Sequence, residues 1–139
     1  MHFTADQCRL HAVRLTPGQD LRLEVEKLSA LVGIRAGFVL SAVGSLTRVA
    51  LRLANQKDTH VMEGHFEIVS LTGTTGPDGL HLHIAVSDEK GVTTGGHVLE
   101  GCLVFTTVEL VFGEAPGLVF HRETDPRTTF KELSIQRTQ

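Results

Sequence analysis

Cysteine is scarce in this sequence, and the patterns that usually give it a role are missing. The 139 residues include two cysteines, Cys8 and Cys102, which lie far apart and outside any CxxC motif. This arrangement favours two reduced, packed thiols over a disulfide. It gives no basis for a cysteine-rich structural zinc site.

An excess of basic charge and a long apolar run are also absent. Thirteen Lys and Arg residues stand against sixteen Asp and Glu, a formal net charge of −3, so electrostatics alone do not indicate nucleic-acid binding. No segment approaches the roughly 20 apolar residues of a membrane-spanning helix, and the first residues do not resemble a leader peptide. We therefore expect a cytoplasmic protein with no membrane segment.

Familiar catalytic motifs are missing as well. The sequence contains no HExxH and no GxSxG. The glycine-rich segment 73–79 is followed by neither Lys-Ser/Thr nor a predicted helix, so it predicts a turn rather than a phosphate-binding loop.

The apolar content is sufficient for one domain. With 139 residues and 41% hydrophobic content, we expect a single domain over residues 1–139 with its core at about 8–125. Residues 126–139 are more polar and predict a tail that is ordered at most around 130–135 and frays at its end.

The pattern of apolar residues predicts one helix and a sheet. Asp20 can cap a helix that ends at Gly33, with Leu21, Val25, Leu28 and Val32 as its apolar positions. The predicted order is one early helix followed by strands. Segments rich in β-branched and apolar residues predict strands at about 36–42, 47–53, 66–71, 80–87, 93–99, 103–112 and 118–121.

Three histidines carry most of the functional information. His81 and His83 alternate with apolar residues, so on a strand both imidazoles leave one face. A hairpin with the three-residue loop 89–91 would place His83 directly opposite His97. A two-residue loop would instead turn His97 to the other face, unless a bulge at residues 95–96 restored the register.

Three neutral imidazoles at this spacing predict a metal site, with zinc as the leading ion. Such a site leaves one or two coordination positions open for water or a ligand. The alternatives are surface or packed histidines and a metal-free catalytic histidine. His65 could join from a neighbouring strand, although a surface position is favoured.

Two carboxylates and one arginine are candidates for catalysis if the protein is an enzyme. Glu67 and Glu109 lie in apolar strands, where burial could raise their pKa values toward use in acid/base chemistry. Glu109 in particular is expected to be buried. The favoured alternative for either carboxylate is an ion pair with an arginine such as Arg52.

Taken together, these segments resemble the plant and prokaryote conserved (PPC) domain over about residues 9–125. The resemblance implies an α+β fold class, with a mostly antiparallel β-sheet packed with one main helix, and assembly as a homotrimer. Plant members of the family are nuclear proteins with an AT-hook that grips DNA. Bacterial members carry a DNA-binding label by that association. The motifs are GSL at 44–46 with Arg52, GHFEIVSLTG at 64–73, LHLHIAVSD at 80–88 and GGHVLEGC at 95–102.

The sequence differs from the plant pattern in ways that bear on function. It has no AT-hook, and His65 stands where the plant strand usually has arginine. Prokaryotic members often keep the HxH pair and the histidine after Gly-Gly, and the resemblance implies a metal there. The fold is also similar to that of acetolactate decarboxylase, in which an HxH pair and a later histidine hold catalytic zinc.

Three functional hypotheses follow. The first is a trimeric PPC protein with zinc on His81, His83 and His97 that acts through protein partners. The second is a zinc-dependent lyase or hydrolase for a small carbonyl or carboxylate substrate, in which Glu67 or Glu109 moves a proton and Arg52 holds an anionic group. The third is an interaction module whose histidines are vestigial.

Overall fold

The computed structural model describes residues 1–138. It contains one helix and eight strands in an α+β arrangement, which confirms the predicted fold class. In chain order the elements are β1 (Arg9–Leu15), α1 (Leu21–Val32), β2 (Gly37–Arg52), β3 (Thr59–Gly76), β4 (Gly79–Ser87), β5 (Thr93–Val98), β6 (Leu103–Glu114), β7 (Leu118–Thr124) and β8 (Lys131–Arg137).

Helix α1 begins and ends where its capping residues predict. The Asp20 carboxylate accepts the backbone N–H groups of Arg22 and Leu23 at 3.0 and 3.1 Å, and Gly33 adopts the left-handed conformation at φ 73°. Leu21 and Val25 are fully buried. Val32, predicted on the same apolar stripe, is 42% exposed because the helix leaves the core at its last turn.

The main sheet is antiparallel and partly closed. Its strand order is β1-β6-β2-β3-β4-β5, and an additional pairing joins β2 to β5 at Leu51 opposite Val98 and Arg52 opposite His97. Strands β2, β3, β4 and β5 thus form a ring, which brings the end of β2 beside the third histidine. The main core fills this ring and the space under α1, and it includes Leu46, Leu82 and Val98.

The last strands form a separate two-stranded sheet. Strand β8 pairs with β7 from Leu118 opposite Arg137 to Thr124 opposite Lys131. The order predicted around residues 130–135 is present, and strand β8 extends it to Arg137. Partly buried Ile135 packs with Phe120 in a second apolar cluster around Ala36, Ala115 and Leu118. Hairpin β7–β8 lies beside β3 and β4 and forms one wall of the histidine pocket.

The glycine-rich segment 73–79 is mostly strand rather than loop. Strands β3 and β4 pair from Glu67 opposite Ser87 to Gly76 opposite Gly79, and only Pro77 and Asp78 form the turn. The predicted turn is therefore real but much shorter, since a two-residue hairpin keeps both strands in register.

Candidate metal centre

Strand β4 presents His81 and His83 on one face of the sheet. Leu82 and Ile84 between and after them are 1% and 3% exposed and belong to the core, whereas His81 is half-buried and His83 exposed. The predicted alternation is confirmed, and it directs the two imidazoles away from the core.

The β4–β5 hairpin sets the position of His97. Asp88 donates its N–H to the Val92 carbonyl at 2.9 Å, and its carboxylate accepts the N–H groups of Lys90 and Val92. Gly91 takes φ 81°, which residues with a Cβ rarely adopt. Ser87 therefore pairs with Thr93 and His83 with His97, which is the predicted register.

The three imidazoles form one cluster. The Nε2 atom of His83 lies 3.2 Å from Nδ1 of His97, and ring centroids are 4.9 Å apart for His81 and His83 and 5.1 Å apart for His81 and His97. One nitrogen from each ring lies within 4.8 Å of the others. Two ligands at 2.0 to 2.1 Å from a tetrahedral zinc are about 3.3 Å apart, so the His83–His97 pair already has a suitable separation.

The surroundings of His81 and His97 favour their neutral form. The pKa of His97 is lowered from 6.5 to about 4, mainly by burial and next by the positive charge of Arg52. The pKa of His81 is also lowered, mainly by burial and next by the positive charge of Arg122. Neutral imidazole is the form that binds metal, so at neutral pH these two rings are in the competent state.

Arg122 is the site residue that the sequence did not reveal. Its Nη2 atom lies 3.0 Å from Nδ1 of His81 and donates to the Lys131 carbonyl at 2.9 Å. It comes from β7, about forty residues after the histidine pair, and reaches the site only because hairpin β7–β8 packs beside β4. No periodicity or motif around residue 122 indicates this approach.

A pocket of about 260 Å³ adjoins the histidines. Thr72 and Thr74 belong to it and pair across the sheet with His83 and His81. Its lining residues are Thr72, Gly73, Thr74, His81, His83, Arg122, Glu132 and Leu133.

Arg52 lies beside the centre, whereas the two predicted carboxylates do not. Glu67 is exposed and pairs with Ser87, four residues and about 13 Å along β4 from His83. The expected burial of Glu109 was wrong, because its side chain is on the exposed face of β6. It stands opposite Val43 on β2, far along that strand from Arg52. The carboxylate that the fold brings to the pocket is Glu132.

The remaining residues singled out in the sequence lie outside the cluster. His65 is exposed, contacts Glu89 at 2.8 Å and has its ring centroid 4.5 Å from that of Phe105, which agrees with the surface interpretation. Both cysteines are free thiols, as expected. Cys102 is buried, but Cys8 is exposed, so the expectation of a packed thiol was wrong for Cys8. Helix α1 is the one helix of residues 1–138, and at 12 residues it is too short to cross a membrane.

Comparison with known proteins identifies relatives for nearly the whole chain. The family model described as the Plants and Prokaryotes Conserved (PCC) domain matches residues 2–116. The chain is 48% identical over 128 residues to the bifunctional protein GlmU of Synechococcus. That match covers 92% of this chain but 20% of the relative, so the chain spans about a fifth of the length of the curated relative.

Solved structures are similar over the full domain. A hypothetical protein from Salmonella cholerae-suis superposes with a TM-score of 0.96 at 43% identity, covering 99% of this chain and 100% of the other. A metal-containing protein from Archaeoglobus fulgidus superposes with a TM-score of 0.79 at 22% identity, covering 96% of each chain, and shares the fold.

Proposed function

The chain belongs to the Plants and Prokaryotes Conserved domain family, and we propose that it is a metal-binding protein that holds one zinc ion on His81, His83 and His97. The observation that carries the proposal is the convergence of three imidazoles on one face of hairpin β4–β5, with nitrogens within 4.8 Å of one another.

The chemistry of the donor set favours zinc. Imidazole nitrogen suits zinc better than calcium or magnesium, which prefer oxygen. Cys102 is buried under the sheet beside Ala50 and cannot add a thiolate to the cluster. The metal in the Archaeoglobus protein of the same fold adds support, because that protein is described as metal-containing.

Elemental analysis of protein purified without a histidine tag tests the proposal. We expect about one zinc per chain, with loss of the metal but not of the fold in His83→Ala. His65→Ala is a matched control, because it removes an exposed imidazole outside the cluster. Metal retained after replacement of His81, His83 and His97 together would refute the assignment.

We further propose that the protein is a homotrimer, as the family resemblance implies. Three apolar side chains support an interface: Val43, Val69 and Phe105 on the adjacent strands β2, β3 and β6 are 55%, 60% and 42% exposed. Sedimentation of the wild type as a trimer and of Val43→Lys with Val69→Lys as a smaller species would support this. An unchanged mass in the double variant would exclude this face.

Action through protein partners is also part of the proposal. The match to one fifth of the bifunctional protein GlmU supports it, because a similar segment there belongs to a much longer chain. Direct DNA binding is not proposed, since the net charge is −3. A fluorescent duplex of 30 base pairs at low salt should give no anisotropy change, and saturable binding that weakens steeply with salt would contradict this view.

A zinc-dependent lyase or hydrolase for a small carbonyl or carboxylate compound is the second candidate function. The pocket beside the histidines, with Arg122 and Glu132 in its wall, is the observation that favours it. A bound zinc would supply Lewis acidity there, and Arg52 and Arg122 would attract an anionic group. Turnover of a panel of carboxylate esters and keto acids, lost on chelation and restored by zinc, would support this candidate.

A further inference from the structure

We infer that Arg122 is the anion-binding residue of this pocket, that its ligand is a small monocarboxylate, and that metal binding makes its guanidinium available. The inference rests on the proposed metal site and adds the class of ligand.

The hydrogen bond between Arg122 and His81 conflicts with metal binding. A guanidinium group has only donors, so the His81 Nδ1 atom 3.0 Å from it must carry a lone pair. A neutral imidazole has one such nitrogen. A metal bound to Nδ1 of His81 would occupy the lone pair that accepts from Arg122. A metal bound to Nε2 would instead require the ring proton to be on Nδ1. Either arrangement ends the hydrogen bond from Arg122. Once the metal is bound, Nη2 has lost one of its two acceptors.

The fold holds the arginine in place without His81. Its backbone N–H donates to the Asp78 carboxylate at 3.1 Å, and Nη2 keeps its bond to the Lys131 carbonyl at 2.9 Å. Asp78 is in turn 2.7 Å from Nδ1 of His121, the residue before Arg122. A guanidinium with free donors is thus kept beside the histidines, which is the arrangement that binds carboxylate and phosphate groups.

The charges around the pocket favour a ligand with a single negative charge. The Glu132 carboxylate in the wall disfavours a second negative charge, and Leu133 provides an apolar contact. Arg52, paired with His97 across β2 and β5, adds positive charge on the other side of the cluster. A monocarboxylate fits this combination better than a phosphate dianion.

Cobalt-loaded protein allows the inference to be tested without an enzymatic assay. Acetate and inorganic phosphate are titrated separately while the visible absorption of the bound cobalt is recorded. We expect saturable binding of acetate that is tighter than that of phosphate. In Arg122→Gln acetate affinity should fall about tenfold or more, because a charge-assisted hydrogen bond is lost.

Arg127→Gln is the matched control, because Arg127 lies in the connection between β7 and β8 and pairs with Asp125. Its acetate affinity should equal that of the wild type. In the absence of acetate, Arg122→Gln should also bind cobalt more tightly than the wild type, since a positive charge and a competing hydrogen bond have been removed. That gain shows that the variant is folded.

The outcomes separate this inference from the metal proposal. Cobalt binding with equal acetate affinity in the wild type and Arg122→Gln would overturn the role of Arg122 and leave the metal site intact. Tighter binding of phosphate than of acetate would overturn the ligand class. Failure of the wild type to bind zinc or cobalt would overturn both proposals.

Discussion

His83 and His97 face each other across hairpin β4–β5, with 3.2 Å between Nε2 of the first and Nδ1 of the second. The contact depends on a three-residue loop at residues 89–91, because each change of one residue in register turns a side chain to the other face of the sheet.

Deletion of Thr94 should therefore abolish metal binding. The loop at residues 89–91 is unchanged, so the later residues of β5 move by one position, and His97 stands opposite Ile84 and points away from His83. We expect less than a tenth of the wild-type zinc content by elemental analysis. Thr94→Ala keeps the strand length and should bind zinc normally, and full zinc content in the deletion variant would show that the register is not required.

Replacement of Gly73 by alanine should destabilise the fold next to the site. Gly73 has φ 144°, and a Cβ there would overlap the His81 carbonyl oxygen and approach Cα of Leu82. We expect a loss of about 2 to 4 kcal/mol in the free energy of unfolding, from backbone strain together with displacement of β4. Urea denaturation measures it.

Gly79→Ala is the control for this prediction. Gly79 also has positive φ, 113°, but a Cβ there would meet no atom within 4 Å. Its loss should be confined to backbone strain, about 1 to 3 kcal/mol. Equal losses in the two variants would show that close contact with β4 contributes nothing at Gly73.

Metal-free protein should lose stability as the pH falls below about 6.5. The pKa of His97 is about 4 in the folded protein and about 6.5 when unfolded, so between these values the unfolded chain binds a proton that the folded chain does not. Stability therefore rises with pH across this window and is fully regained above 6.5. The lowered pKa of His81 acts in the same direction.

Urea midpoints between pH 4.5 and 7.5 measure this dependence. His97→Asn should have a flatter profile than the wild type, whereas His65→Asn, which removes an exposed imidazole, should keep the wild-type slope. A wild-type slope in His97→Asn would show that this ring does not contribute.

The two thiols should differ strongly in reactivity. Burial raises the pKa of Cys102 above its usual value of 9.0, which leaves the thiol neutral and inaccessible at pH 8, whereas Cys8 is exposed. We expect one equivalent of a thiol reagent to react rapidly with native protein and two after unfolding. Cys8→Ala should show almost no reaction until unfolded, and rapid reaction in that variant would show that Cys102 is accessible.

Local features of the sequence were sufficient to predict several elements of the fold. The cap at Asp20, the end of the helix at Gly33 and the alternation of His81 and His83 with Leu82 each depend on neighbouring residues, so the sequence pattern was informative. The pairing of His83 with His97 also follows from a short loop. Family resemblance added the fold class, which the PCC match and the superposed structures confirm.

The burial of the carboxylates could not be read from the same patterns. The apolar strand around Glu109 suggested that this carboxylate is buried, but Phe105 and Glu109 are both exposed on β6. Which face of a strand is covered depends on what packs against it. That is a property of the assembled sheet and not of the strand.

The sequence by itself determined the three histidines and the hairpin that aligns them, because spacing, alternation and loop length act over fewer than twenty residues. Only the tertiary structure decided what surrounds them. Closure of β2 onto β5 brings Arg52 opposite His97, and hairpin β7–β8 carries Arg122 to His81. Both contacts join residues about forty positions apart, and they form because apolar burial elsewhere fixes the strands that carry them.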